Sequence, residues 1–315
     1  MYYFAGVDVG GTNTKIGILN GEGDILKSVS IKTESIMGVD YTLNKIWETI
    51  LVLLDELDID RDVIKGIGMG IPGPVIEQKK VGFFANFPWE QNVNISEKME
   101  KISGVKTRLE NDVNVIALGE TLYGAGKGFS KSITIALGTG IGGGIFIDGK
   151  LISGATGAGG EIGHMKLEKD GKLCGCGQKG CFETYASATG VMRETLSRLQ
   201  MNKDNSLYKF IEGDLNRLEA KHVFDEAKKG DKFCLDIVDY VSEYLALGIG
   251  NVLNIINPEV VILAGGVALA GDILMEGVKE KLPRYALGIT IENLEIKIGE
   301  LGNDAGIKGA SALTI

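Results

Sequence analysis

The 315 residues predict an α/β fold built as two related halves facing one another across a cleft. Three observations carry that expectation. Strand-like and helical runs alternate along the chain, a glycine-turn hairpin occurs twice at a constant offset of 128 residues, and Leu109 to Glu120 places a polar pair where a strand becomes a helix.

Composition narrows the function classes. With 44% hydrophobic residues and no long uncharged apolar run, the chain is expected to be soluble, of one or two domains, with no membrane partner. Met1 leads straight into a strand-like segment, Tyr2 to Val9, without a signal or transit pattern, so a cytoplasmic location is expected. A net charge of −9 and a pI near 5.0, with no basic cluster, argue against nucleic acid as a partner. Forty-six glycines against five prolines indicate tight turns and close backbone approaches.

In chain order, Tyr3 to Val9 reads as a buried strand that breaks at D-V-G-G-T-N-T-K, Asp8 to Lys15, and resumes at Ile16 to Leu19. The hairpin tip presents the backbone of Gly10 and Gly11 with Thr12, Thr14 and the Lys15 ammonium, a set that can cradle phosphate oxygens. Asp8, at the strand end, could hold a magnesium ion through water. A plain turn with a surface lysine accounts for the same letters. Leu43, Ile46, Trp47, Ile50, Leu54 and Leu57 mark an amphipathic helix whose stripe belongs to the core. Ile64 to Ile71 is a strand ending in Pro72-Gly73-Pro74, a rigid turn that fixes a loop at the sheet end and makes Gly73 a substrate-side candidate. The run F-F-A-N-F-P-W-E, Phe83 to Glu90, sets Asn86 among aromatics, a combination that suits a sugar ring or a loop packing its own apolar residues.

Val105 to Leu109 then carries strand-like residues into Asn111-Asp112, and Val115, Ile116, Leu118 and Leu122 continue at helical spacing. A carboxylate is favoured at such a junction by the free backbone N–H groups, so Asp112 is either a helix cap or a functional acid pointing off the sheet. The hairpin recurs in T-I-A-L-G-T-G-I-G-G-G-I-F-I-D-G-K, with Thr139 and Gly140 at its tip. Gly138 to Gly143 also fits the dinucleotide pattern G-x-G-x-x-G. That pattern should open a helix, whereas Gly144 to Ile147 with Asp148-Gly149 reads as a strand and a turn, so a dehydrogenase is disfavoured.

G-A-G-G-E-I-G-H, Gly157 to His164, precedes C-G-C-G-Q-K-G-C-F-E, Cys174 to Glu183. In an acidic chain without a secretory signal, disulfides are disfavoured, and the spacing suits one tetrahedral zinc on His164, Cys174, Cys176 and Cys181; free thiols in a loop are the alternative. Four protein ligands leave no open position, so such a zinc would be structural and would pin the loop carrying Glu161, His164 and Glu183. Cys234 is expected to be buried among apolar residues and His222 to lie at the surface. Arg193 to Gly230 reads as polar and helical, Val238 to Ile255 as a long apolar helix, and Glu259 to Leu263 as a strand breaking at A-G-G-V. There Gly265 and Gly266 would let a nucleoside lie close to the backbone, or serve a helix-entry turn. The tail Gly302 to Leu313 reads as a small-residue helix able to pack back on the first half.

The motifs D-V-G-G-T-N-T-K, G-I-P-G-P, E-N-D-V-N, L-G-T-G-I-G-G-G, G-E-I-G-H, C-G-C-G-Q-K-G-C-F-E and L-A-G-G-V follow one another over nearly the whole chain, which resembles the ROK family of bacterial sugar kinases and sugar-responsive repressors. Within it the resemblance points to ATP-dependent glucokinases of Gram-positive type. It implies the actin-like ATPase (ribonuclease H-like) fold, with residues 1–120 plus 300–315 as a smaller α/β domain and 121–299 as a larger one. It implies Asp112 as general base, with Asn111, Glu161, His164 and Glu183 on sugar hydroxyls. Gly10 to Thr12, Lys15, Thr139 and Gly140 are implied near the ATP phosphates, and the family's zinc ligands match His164, Cys174, Cys176 and Cys181. The Asn86 loop reads N-F-P-W where relatives commonly have N-L-x-G-W.

The reaction implied is transfer of the γ-phosphoryl group of ATP, with Mg²⁺, to the 6-hydroxyl of a hexose. Glucose is the expected acceptor, and N-acetylmannosamine, fructose and N-acetylglucosamine are the alternatives. A repressor of the family would carry a helix-turn-helix module ahead of this region, and Asp8 stands only seven residues after Met1. A homodimer is what the resemblance implies.

Overall fold

The computed structural model describes residues 2–84 and 87–315. They fall into two compact units, Met1–Thr134 with Gly144–Gly160 and Glu300–Ile315, and Ile135–Gly143 with Glu161–Gly299. Residues 121–134 and 144–160 thus group with the first unit, as does the return at 300–315.

The first unit begins with β1 (Tyr3–Val9), β2 (Asn13–Asn20) and β3 (Ile25–Lys32), followed by α1 (Val39–Asp55) and β4 (Ile64–Ile71). Three two-residue strands, β5 (Val75–Ile76), β6 (Lys80–Val81) and β7 (Val93–Asn94), form a small sheet that sequence periodicity does not reveal. Next come α2 (Ile95–Ser103), β8 (Thr107–Asn111) and α3 (Asp112–Tyr123). The main sheet runs β3-β2-β1-β4-β8. β2 is antiparallel to both its neighbours, while β1, β4 and β8 are parallel and therefore end at one edge.

Residue types explain the layering. β1 and β4 are almost continuously apolar or glycine and are covered on both faces, whereas the edge strand β3 alternates and is largely exposed. Leu43, Ile46, Trp47, Ile50, Leu53 and Leu54 give α1 one buried face, which joins Val7, Ile16, Ile67 and Met69 in the core.

In the second half of the chain, β9 (Lys131–Leu137), β10 (Ile141–Ile147) and β11 (Lys150–Leu151) lead to α4 (Glu183–Ala186), α5 (Ala188–Met201), α6 (Ser206–Phe210) and α7 (Ala220–Lys228). The long helix α8 (Lys232–Ile256) follows, capped by Asp231, which accepts from the Cys234 N–H at 2.9 Å, and closed by Asn257 in the left-handed conformation. Cys234 is fully buried in it. His222 is not a plain surface residue: its Nδ1 accepts from the Glu219 N–H at 3.2 Å, and its ring meets the Phe210 ring. β12 (Val260–Ala264), α9 (Asp272–Lys281), α10 (Gly288–Ile291), β13 (Glu295–Ile298) and α11 (Ala305–Ala312) complete the order.

The second sheet is ordered β11-β10-β9-β12-β13, the arrangement of the first sheet repeated strand for strand. The bounds of β9 are those of β1 advanced by the 128-residue offset. Gly138 to Gly143 runs into strand β10 and opens no helix, so the dinucleotide pattern does not hold.

α11 returns to the first unit, where it packs against β1, β4 and α3. α3 and α11 cross at Gly119 and Gly309, so closely that a Cβ on Gly309 would run into the Val115 carbonyl. The return is anchored by Glu120. Its buried carboxylate accepts the N–H groups of Ala125 (3.1 Å), Glu300 (3.1 Å) and Leu301 (3.0 Å). Among the described residues no helix is long and apolar enough to cross a membrane.

Candidate active site

The parallel strands of the first sheet deliver the first unit's candidates to one edge. β1 brings Asp8, which lies opposite Lys15 in the hairpin register. The Lys15 Nζ is 4.0 Å from Asp8 Oδ2 and donates a 3.0 Å hydrogen bond to Asn303 Oδ1. Burial pushes the Asp8 carboxyl up to about 6; the Lys15 ammonium opposes that rise and the Asp112 carboxylate adds to it. Lys15 and Asp112 thus both act on the Asp8 carboxyl, in opposite directions. Gly11 and Thr12 are exposed at the hairpin tip, and the turn is closed by Gly10 N–H donating to the Asn13 carbonyl at 3.0 Å.

β8 brings Asn111 and Asp112. Capping of α3 falls to Asn111, whose Oδ1 accepts from the N–H groups of Val113 (2.9 Å) and Asn114 (3.3 Å). Asp112 is the first residue inside the helix, with Oδ1 accepting from the Val113 N–H at 3.0 Å, so the reading of Asp112 as the cap gives way to Asn111. Asn111 Nδ2 also donates to the Gly73 carbonyl at 3.2 Å, which puts Gly73 beside the pair. Beneath them Glu110 is 2% exposed and accepts from Asn111 N–H (2.9 Å), Asn114 Nδ2 (3.0 Å) and Ser153 Oγ (2.8 Å). This buried acid fixes the strand-to-helix turn. Asn86 lies outside the described residues. Phe84, Phe87 and Trp89, which flank that position in the sequence, form an aromatic cluster, and Trp89 Nε1 donates to the Ser35 carbonyl at 2.8 Å.

In the second unit Thr139 is exposed at the tip of the second glycine turn. Gly140 faces Glu183: a Cβ there would stand 2.5 Å from Glu183 Oε2, so a larger residue would push the carboxylate back from the turn. Glu183 Oε1 accepts from Cys174 Sγ at 2.8 Å and is 4.0 Å from His164 Nδ1, while His164 Nε2 is 3.8 Å from Glu161 Oε2. One carboxylate therefore joins the glycine turn to the Cys/His loop. At Gly265 the backbone has φ +86 and lies against the Leu137 carbonyl, which also accepts from the Val267 N–H at 3.1 Å; Gly265-Gly266 thus borders the end of β9.

His164, Cys174, Cys176 and Cys181 offer four ligand atoms all within 4.8 Å of one another. Cys176 Sγ and Cys181 Sγ are 3.7 Å apart, and Cys174 Sγ is 3.8 Å from His164 Nδ1. Donors bound tetrahedrally to one zinc lie about 3.5–3.8 Å apart, so the set could hold one ion. Turns shape it: Cys174 N–H donates to the Gln178 carbonyl at 2.8 Å, and Cys176 N–H points at Cys174 Sγ at 3.4 Å. Burial, followed by the hydrogen bond to Glu183, pushes the Cys174 thiol up, whereas a backbone hydrogen bond from Gln178 pulls Cys176 down.

Sequence reasoning did not single out Glu110, Ser153, Asn303 or Lys166. Ser153 and Asn303 reach their partners from distant parts of the chain, and Glu110 meets Ser153 across 43 residues, so no local pattern announces these contacts. Lys166 stands two places after His164, where a lysine by itself carries no metal-site signal.

From residue 4 to residue 315 the chain matches the ROK family. It is 38% identical over 309 residues to a glucokinase of Thermotoga maritima, covering 98% of this chain and 96% of that protein. To a glucokinase of Halalkalibacterium halodurans it is 36% identical over 316 residues, covering 99% and 94%. The crystal structure of a ROK family glucokinase from Streptomyces griseus in complex with glucose and AMPPNP superposes with a TM-score of 0.82 at 30% identity, over 99% of both chains.

Proposed function

The chain belongs to the ROK family, and from that premise we propose that it is an ATP-dependent glucokinase transferring the γ-phosphoryl group to the 6-hydroxyl of glucose. Its fold is that of the actin-like ATPases, as in the related ROK glucokinases. The observation that carries the site assignment is Asp112 at the end of a buried parallel strand, its carboxylate acting on the Asp8 carboxyl that Lys15 also faces.

Phosphoryl transfer asks the protein chiefly to position groups and spread charge. In our reading Asp112 accepts the proton of the 6-hydroxyl as that oxygen attacks the γ-phosphorus. It needs no raised pKa, because the proton leaves late, once charge has moved off the oxygen. Asn111, held by its bonds to α3 and Gly73, and Glu161, His164 and Glu183 orient the sugar hydroxyls. Lys15 and the backbone at Gly10 to Thr12, with Thr139 and Gly140, hold phosphate oxygens, and Gly265-Gly266 lies against the nucleoside. Mg²⁺, near Asp8, would offset repulsion between the phosphates and the incoming oxygen. His164, Cys174, Cys176 and Cys181 would hold a structural zinc that keeps the sugar-orienting loop in place.

The test is ADP release with ATP and Mg²⁺ across glucose, fructose, N-acetylmannosamine and N-acetylglucosamine, with zinc content measured on the same preparation. Glucose should give the highest kcat/KM. Release with another of these sugars but none above background with glucose would sink the glucokinase reading while leaving a sugar kinase.

A further inference from the structure

Lys166 stands beside the metal-ligand set without belonging to it. An antiparallel bridge pairs Lys166 with Cys181, and residues directly opposite in such a bridge send their side chains to the same face. The Lys166 Nζ accordingly reaches Cys181 Sγ at 2.7 Å and also donates to the His164 carbonyl at 3.2 Å. One ammonium thereby touches two of the four ligand residues, at opposite ends of the loop.

Charge gives that contact a purpose. Three thiolates and a neutral imidazole around Zn²⁺ leave one excess negative charge. Cys181 is fully buried and Cys174 is 3% exposed, so water reaches those sulfurs poorly and cannot dissipate the excess. A cation hydrogen-bonded to a thiolate sulfur meets this need, as groups around metal ligands do in general.

We propose that Lys166 is a positioning residue for the zinc site, its ammonium neutralising the excess thiolate charge at Cys181 and making zinc retention depend on the charge at position 166. The inference rests on the zinc reading above and goes beyond it, because it concerns a residue outside the ligand set.

The experiment measures the zinc dissociation constant of the full chain by competition with a chromophoric chelator of known affinity. Variants are Lys166→Met, Lys166→Arg and Lys166→Glu, with Lys169→Met as a control on a nearby exposed lysine. Circular dichroism of each zinc-loaded protein confirms its folding. Lys166→Met should weaken zinc binding about tenfold and Lys166→Glu about a hundredfold, with Lys166→Arg and the control within about threefold of the parent. Added salt should narrow these differences, since the charge at position 166 is exposed to solvent. A parent that binds zinc, with Met and Glu variants equal to it within about threefold, overturns the inference alone. A parent that binds no zinc overturns the zinc reading and the inference with it.

Discussion

The two glycine hairpins have the same strand order around them and stand 128 residues apart, yet the charge sits on only one. Where the first has Asp8, the position 128 residues on is Ala136, and where the first has Lys15, the second has Gly143. The first hairpin therefore works by charge, with a part-buried carboxyl, an ammonium 4.0 Å away and Asp112 close enough to raise the Asp8 carboxyl further. The second works by closeness, its Gly140 admitting the Glu183 carboxylate against the backbone. A duplicated frame can thus divide its labour: one copy supplies the ions, the other supplies room.

That division can be broken experimentally, most severely at the junction beside the charged hairpin. Asp112→Asn should lower kcat about 10²- to 10⁴-fold while glucose still binds, as seen by calorimetric titration. Turnover equal to that of the parent would remove the base assignment.

Asp8 offers a test on stability. Its carboxyl ionises near 6 in the folded protein against 3.8 for the ordinary group. The raised value means that stability is fully present below about pH 4 and is lost as pH rises through 6, by about 3 kcal/mol in all. Urea unfolding of the nucleotide-free protein at pH 4 and pH 7 should show this loss, and Asp8→Asn should lack it. Parallel pH profiles would mean that the buried acid is relieved in some other way.

The sharpest comparison of the two copies is the smallest in effect. Lys15→Met should raise the KM for ATP about 10- to 100-fold, as expected for loss of a charge-assisted bond, and Thr139→Ala only about two- to tenfold. Equal effects from the two variants would show that the hairpins share the phosphate work evenly.

Much of this organisation is legible in the sequence itself. Strands ending at Val9, Ile71 and Leu137 are bounded by glycine or proline turns, and His164, Cys174, Cys176 and Cys181, close in sequence, also lie close in space. Local signals failed where partners come from far away. Lys15 meets Asn303 across 288 residues, and Glu110 meets Ser153 across 43, and neither pairing leaves a periodic trace. The capping role went to Asn111 instead of Asp112 because both letters satisfy the same rule, and only the backbone decides which of them stands outside the helix. The third strands also differ, eight residues in β3 and two in β11.

The anchoring of residues 300 and 301 on Glu120, and the seating of α11 on β1 and β4, bear on how the chain is made. A ribosome releases β1 and β4 early and residues 305–312 only after the whole second unit has been synthesised. Through that interval the nascent sheet lacks one of its covering layers, and apolar surface left uncovered in this way favours association in general. The carboxylate of Glu120 waits over the same period for the amides it will bind, so assembly of the first unit ends with the arrival of the returning helix.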